Sequence, residues 1–463
     1  MRAAIAAGHP ATAAAGAEIL EAGGTAADAA VAAALASCVA ETVMTGLLGG
    51  GHAVYFDAAR GIARNLDCFC AVPGLGAPPR EAELVQLQVP FGAELVHYAV
   101  GPASCAVPGV PAGLGALWEE YGRVPWARLV EPALRVARAG VEMPAAHAAC
   151  LAMLEPVMTL REGGRMYAPG GALLQTGDRL DQPGLVHALE LLADEGAASV
   201  YRGTIADALL DLLRERGGLV TAEDLEAYSA TWSAPVEIAW RGRRILTRGG
   251  ISGVPETLEH FPRLRGLDAT ERVVALVDSL DGAVGPETHT TNLVAVDADG
   301  NACVLTTSLG LGSGDWLPGL DVHLNSMLGE RDLIHGTLVA GERMESMMAP
   351  TLALDGDGLE LALGAAGGTR LRTALLTVTA GILDEALEPQ AAVDQPRVHP
   401  AGAVVNAEPG VDEDGLAALE AAGSSVRRWP ERHHYFGGVS AVGRNGVAAD
   451  PRRSGAVALP GAG

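Results

Sequence analysis

Two strand-like runs joined by a four-residue turn constrain the fold of this chain most. Thr291–Asp297 alternates with period two, Asp297-Ala298-Asp299-Gly300 is a hairpin signal, and Asn301–Ser308 is the returning strand. A second pair follows, Thr351–Leu354 and Leu359–Leu363, around the turn Asp355–Gly358. It runs through Ala365-Ala366-Gly367-Gly368 into a helical pattern over Thr369–Leu383. Upstream, residues 10–40 are helical in pattern and broken at Gly23-Gly24. A Gly-rich turn then leads into a strand over His52–Asp57, with strand-like text to Leu66. Residues 111–160 and Pro183–Leu213 read as helices, Val236–Thr247 as a strand pair around Arg241-Gly242, and 254–285 as helical and polar. Strands followed by helices on both sides of residue 290 predict antiparallel sheets with helices packed outside them, an α+β layered architecture. There is no internal repeat and no long linker.

Composition narrows the chemistry. Aromatics are 4% of 463 residues while Ala and Gly dominate, so close packing of small side chains is expected. The net charge of −24 argues against nucleic acid, which needs a basic surface. The chain has no lysine, which excludes a lysine Schiff base and a Walker-type phosphate loop. The six cysteines are scattered and contain no CxxC, so reduced thiols are expected; Cys68 and Cys70 are weak candidates for metal or redox work. The longest apolar run, Ala29–Ala40, is too short to span a bilayer, and the opening MRAAIAAGHP has no signal-peptide core. These features predict a soluble cytoplasmic protein with no membrane partner, unless the start codon is wrongly placed and hides a leader.

The segment Glu287-Thr288-His289-Thr290-Thr291-Asn292 heads the first hairpin. A threonine hydroxyl is a poor nucleophile without an adjacent base, and becoming a chain terminus supplies one, its own α-amine. That amine's ordinary pKa of about 8 lies near working pH. Threonine pairs at strand starts also arise from β-propensity alone. Gly367-Gly368 stands between a strand and a helix, where backbone N–H groups can form an anion nest and hold an oxyanion; the plain alternative is a turn. Arg370 and Arg372 just beyond are candidates for an acidic substrate group. His433-His434 is a poor metal pair, because neighbours on a strand face opposite ways. His9, His52 and His97 read as structural histidines, and Glu119-Glu120 as a solvated helix face.

Several long blocks resemble the γ-glutamyltransferase (glutathione hydrolase) family of N-terminal-nucleophile hydrolases. They are GHPATAAAGAEILEAGGTAADAAVAAALASCVAET, MTGLLGGGHAVYFD, VPGVPAGLGALWEEYGRVPWARLVEPALRVARAGVEM, GGLVTAEDLEAYSATWSAPVEIAWRGRRILT, TTNLVAVDADGNACVLTTSL and MAPTLALDGDGLELALGAAGGTR, in family order over nearly the whole chain. The resemblance implies a four-layer αββα sandwich and no metal or organic cofactor. It implies self-cleavage between His289 and Thr290 into a large part, 1–289, and a small part, 290–463, that remain associated. By position, Thr290 becomes the nucleophile, Ser308 its hydrogen-bonding neighbour, and Gly367 and Gly368 the oxyanion hole. Thr291, Asn292 and Ser346 fall at other site positions.

The departures fall on the glutamyl clamp. The family arginine for the substrate α-carboxylate falls on Phe69, and the second of two substrate-binding serines on Met347. The aspartate for the α-amine falls near Glu330, and a substrate asparagine falls on Gly310. The histidine two residues after the nucleophile is Asn292. Losing a buried arginine–carboxylate pair costs about 2–5 kcal/mol of binding, unless Arg343 or Arg370 substitutes. Three functions follow. One is a hydrolase or transferase of γ-glutamyl amides, with a possible amine or peptide acceptor. The second is the same acyl-enzyme chemistry on another small molecule, such as a secondary-metabolite amide or a C–C bond next to a carbonyl. The third is a non-catalytic protein that keeps only the fold.

Overall fold

Thr25 starts the most deeply buried helix, Ala26–Ala40, with a capping box: its hydroxyl accepts from the Asp28 N–H, and the Asp28 carboxylate accepts from the Thr25 N–H at 2.9 Å. Every residue of this helix is buried. Alanine on all sides lets it lie between a sheet and the outer helices, the close packing that a small-residue composition allows. The preceding helix, Pro10–Glu21, ends at the expected glycine break, where Gly23 has φ +85°. In this computed structural model the described residues are 1–77, 84–91, 94–280 and 290–461. Of the expected cleavage segment, Glu287, Thr288 and His289 lie outside them.

Two antiparallel sheets form the centre. The seven-stranded sheet runs in the order Ala456–Ala458, Ala4–Ala7, Thr291–Val296, Ala302–Ser308, Gly50–Asp57, Ile62–Cys68, Thr231–Ser233. The six-stranded sheet runs Gly446–Ala449, Gly438–Gly443, Gly358–Ala366, Thr351–Asp355, Arg243–Thr247, Val236–Trp240. The sheets share an apolar layer that includes Ala6, Val54, Val294, Val304, Leu352 and Ala362. Helices Pro10–Glu21 and Ala26–Ala40 cover the outer face of the first sheet, and Arg370–Leu383 covers that of the second. The α+β reading and the αββα layering both hold.

Both expected hairpins form, with Thr291 opposite Thr307 and Thr351 opposite Leu363. The helical text over 111–160 divides into Val110–Tyr121, Trp126–Ala139 and Ala145–Met158, and that over 254–285 into Val254–His260 and Ala269–Leu280. The strand Ala4–Ala7 was not expected. Its four residues carry no alternation, and it is fully buried against Thr291–Val296. All six cysteines are free and buried. Among the described residues no helix is long and apolar enough to cross a membrane, and no cluster of His, Cys, Asp and Glu is arranged for a metal.

Candidate active site

Strand parity positions the site. In Thr291–Val296, Leu293 and Ala295 face the helix layer, whereas Val294 and Val296 face the second sheet. Thr290 therefore falls on the inter-sheet side, at the open end of the sandwich, and it is buried. The register pairs Thr291 with Thr307, so one step further Ser308 stands opposite Thr290. Both line a small pocket, to which Gly368 contributes. The same pocket gathers Phe69, Glu330, Ser346 and Met347.

The strand Gly358–Ala366 ends in Gly367 and Gly368, with φ +133° and +58°, before the helix Arg370–Leu383. A Cβ on Gly367 would lie 2.8 Å from Gly437 Cα, so two backbones meet there. Gly368, not Gly367, faces the pocket directly. The arrangement is a hydroxyl on a strand terminus, a second hydroxyl beside it, and a glycine turn at a helix start closing one cavity. Such a constellation can attack a carbonyl and hold the resulting oxyanion.

The gamma-glutamyltranspeptidase family model matches residues 12–275 and 268–459. The chain belongs to the gamma-glutamyltranspeptidase family. It is 28% identical to the acylase ACY 1 proenzyme of Pseudomonas sp. (strain V22), over 94% of this chain and 89% of that one. It is 25% identical to the glutathione hydrolase proenzyme of Bacillus subtilis, over 98% of this chain and 90% of the relative. Among solved structures, the cephalosporin acylase from Bacillus halodurans superposes with a TM-score of 0.82 at 25% identity, covering 99% of this chain and 95% of that one.

Within this gamma-glutamyltranspeptidase fold, two expected substrate contacts lie elsewhere. Thr291 points to the helix layer, where its hydroxyl donates to Glu41. Asn292 points between the sheets: its side-chain amide donates to Leu305 O at 3.3 Å and Thr306 Oγ1 at 3.2 Å, and its backbone carbonyl accepts from Ser440 Oγ. A Cβ on Gly364 would lie 2.1 Å from Asn292 Nδ2, so glycine there gives the amide its room. Both residues were read as substrate contacts because they follow Thr290; alternation turns Thr291 to the helix layer, and Asn292, on the same face as Thr290 but two residues further in, is held between the sheets, so neither lines the pocket that holds Ser308 and Gly368.

The arginines offered as a replacement clamp are engaged too. Arg343 Nε lies 3.4 Å from Asp67, with its guanidinium 4.1 Å above the Tyr228 ring. Arg370 Nε donates to Tyr435 O at 2.9 Å, and Arg372 Nη2 to Leu280 O at 2.7 Å. None of the three lines the pocket. Phe69 stacks on His52 with centroids 5.5 Å apart. His433 Nδ1 accepts from the Tyr435 N–H and caps a short turn.

One site residue escaped the sequence reading. Glu41, just past the apolar helix Ala26–Ala40, is buried behind Thr290 and accepts from Thr12 and Thr291. Arg453 crosses the same space, its guanidinium reaching Thr290 O at 3.4 Å and Met44 Sδ at 3.3 Å. Neighbouring Arg452 pairs with buried Glu408 and Asp450, which anchors the turn that carries Arg453. The available signal was an acid directly after the apolar run Ala29–Ala40.

Burial pushes the Glu41 carboxyl up to about 7 from an ordinary 4.5, partly offset by its hydroxyl donors and Arg453. The folded chain therefore holds this proton more tightly than the unfolded chain does. Stability contributed by the protonated form is present below about pH 4.5 and is lost as pH rises toward 7. Glu41→Gln has no such loss. Raising the pH from 5 to 7 should shift the stability difference toward the variant by roughly 2–3 kcal/mol. Denaturant unfolding of both proteins at each pH measures it, and a constant difference would contradict the burial argument.

Proposed function

We propose that this gamma-glutamyltranspeptidase-family enzyme activates itself by cutting before Thr290, and then hydrolyses or transfers a glutamyl or related acyl group through an ester on the Thr290 hydroxyl. The observation that carries the reading is the position of Thr290: it heads a central strand in a pocket shared with Ser308 and Gly368. In maturation, Thr290 Oγ attacks the His289 carbonyl carbon. The peptide C–N bond breaks as the acyl group moves to oxygen, which frees the α-amine with the hydroxyl's proton; water then hydrolyses the ester, releasing the His289 carboxylate and the Thr290 hydroxyl. Thr291–Val296 stays hydrogen-bonded between Ala4–Ala7 and Ala302–Ser308, so the parts 1–289 and 290–463 remain one sandwich.

In turnover the α-amine takes the proton as Oγ attacks the substrate carbonyl, and then passes it to the leaving amine. Gly367 and Gly368 stabilise the oxyanion, and Ser308 orients the nucleophile. Water, or an amine acceptor, then releases the acyl group. Peptide mapping of enzyme quenched during turnover should find the substrate acyl mass on the peptide beginning at Thr290. Acyl mass on another residue, with Thr290 unmodified, would remove it as nucleophile.

A second reading, an acyl group other than glutamyl, is favoured by one observation. The pocket that Thr290 shares with Ser308 has Phe69, Met327, Met347 and Met348 in its walls and, among the described residues, no arginine.

A further inference from the structure

Glu330 stands in that pocket without a partner. It is 1% exposed, and neither carboxyl oxygen makes a hydrogen bond. The charged or titratable groups that act on it are Asp332 and Cys70, neither of them a cation. An isolated carboxylate in an apolar enclosure is costly unless something pairs with it. Its position is nonetheless built. Gly310, at φ +69°, leaves the space that the carboxyl fills, since a Cβ there would lie 2.3 Å from Glu330 Oε1. The pocket thus presents one buried carboxyl, in the same wall set as the nucleophile, to whatever enters.

The matching place for an anion is closed. Arg343 is drawn off to Asp67, Tyr228 and the Ser229 carbonyl, and Arg248 Nη1 donates to Ser346 O at 2.7 Å. The Phe69 ring lies on the pocket wall in their stead. A substrate carboxylate here would meet methionine and phenylalanine side chains and the Glu330 carboxyl, with no cation in the pocket wall among the described residues to replace its water.

We infer that the acyl group accepted beside Thr290 is apolar, presents an ammonium to Glu330, and lacks the carboxylate of a glutamyl group. This rests on Thr290 as the nucleophile. A charge-assisted N–H···O bond to Glu330, made only after water is excluded, selects the amine. The flexible walls of Met327, Met347 and Met348 adapt to the remaining chain.

Four p-nitroanilides separate the two charges: 4-aminopentanoyl (amine only), glutaryl (carboxylate only), γ-glutamyl (both) and pentanoyl (neither). Rates are taken after subtracting those of Thr290→Ala. The 4-aminopentanoyl compound is expected to exceed pentanoyl in kcat/KM by at least about 30-fold, and γ-glutamyl by at least about tenfold. In Glu330→Gln the amine advantage should vanish, the 4-aminopentanoyl-to-pentanoyl ratio of kcat/KM falling to within about threefold of one. Glutaryl or γ-glutamyl matching 4-aminopentanoyl, or an amine advantage that survives Glu330→Gln, overturns the inference. If no anilide is turned over faster than by Thr290→Ala, the nucleophile reading fails, and calorimetry with 4-aminopentanamide tests the pocket alone. Binding to wild type that Glu330→Gln loses supports the inference; no binding overturns it.

Discussion

Thr290→Ala is expected to fold as the wild type does, to stay uncut, and to lose turnover by at least about 10⁴-fold, the scale on which removal of a catalytic nucleophile acts. The structure separates these effects. The substitution removes a hydroxyl and a methyl at the strand head. The Thr291–Thr307 pairing, the Thr291–Glu41 bond and the Arg453 contact to the Thr290 carbonyl are all left in place. The unfolding free energy should therefore change by no more than about 1 kcal/mol. Thr290→Ser keeps the hydroxyl and should retain part of both cleavage and turnover. Steady-state kinetics beside thermal unfolding would check this, and an active Thr290→Ala would end the proposed mechanism.

Gly367→Ala should lower kcat by about 10²–10³-fold, the usual cost of misplacing an oxyanion donor. At φ +133° an alanine is strained by about 1–3 kcal/mol. Its methyl would sit 2.8 Å from Gly437 Cα and 3.3 Å from Arg453 Nη2, so either the glycine turn or the facing backbone must move. Gly368 on the pocket wall moves with that turn. KM should change much less than kcat, because the walls that hold the acyl group belong to other segments. An unchanged kcat measured well below the unfolding temperature would show that the glycine turn does not hold the reacting oxygen.

What was legible in the sequence was legible because it is local. The alternation of Thr291–Asp297, the turn Asp297–Gly300 and the returning strand Asn301–Ser308 marked the central hairpin, while the pairing of Ser308 with Thr290 came from the family resemblance. Gly367-Gly368 between strand and helix gave the turn. Ala4–Ala7 escaped because its only strand signal is a partner far along the chain. Asn292 was read as a substrate contact, yet Val294 and Val296, on the same strand face, marked that face as the contact between sheets. The exchange of an arginine for Phe69 could be read by position. That Arg343 and Arg370 do not refill the gap, and that Glu330 has no partner, depends on where long side chains turn. The same holds for Glu41, whose importance lies in the hydroxyls of Thr12 and Thr291, which converge on it from two other segments.

The central claim is that the chain cuts itself to expose Thr290, and intact-mass spectrometry of purified wild type beside Thr290→Ala tests it most directly. The account predicts two wild-type masses that sum to the full chain plus one water, the smaller beginning at Thr290, and one full-length mass for the variant. A fully active wild type that remains a single uncut chain, or a variant cut at the same place, would contradict it.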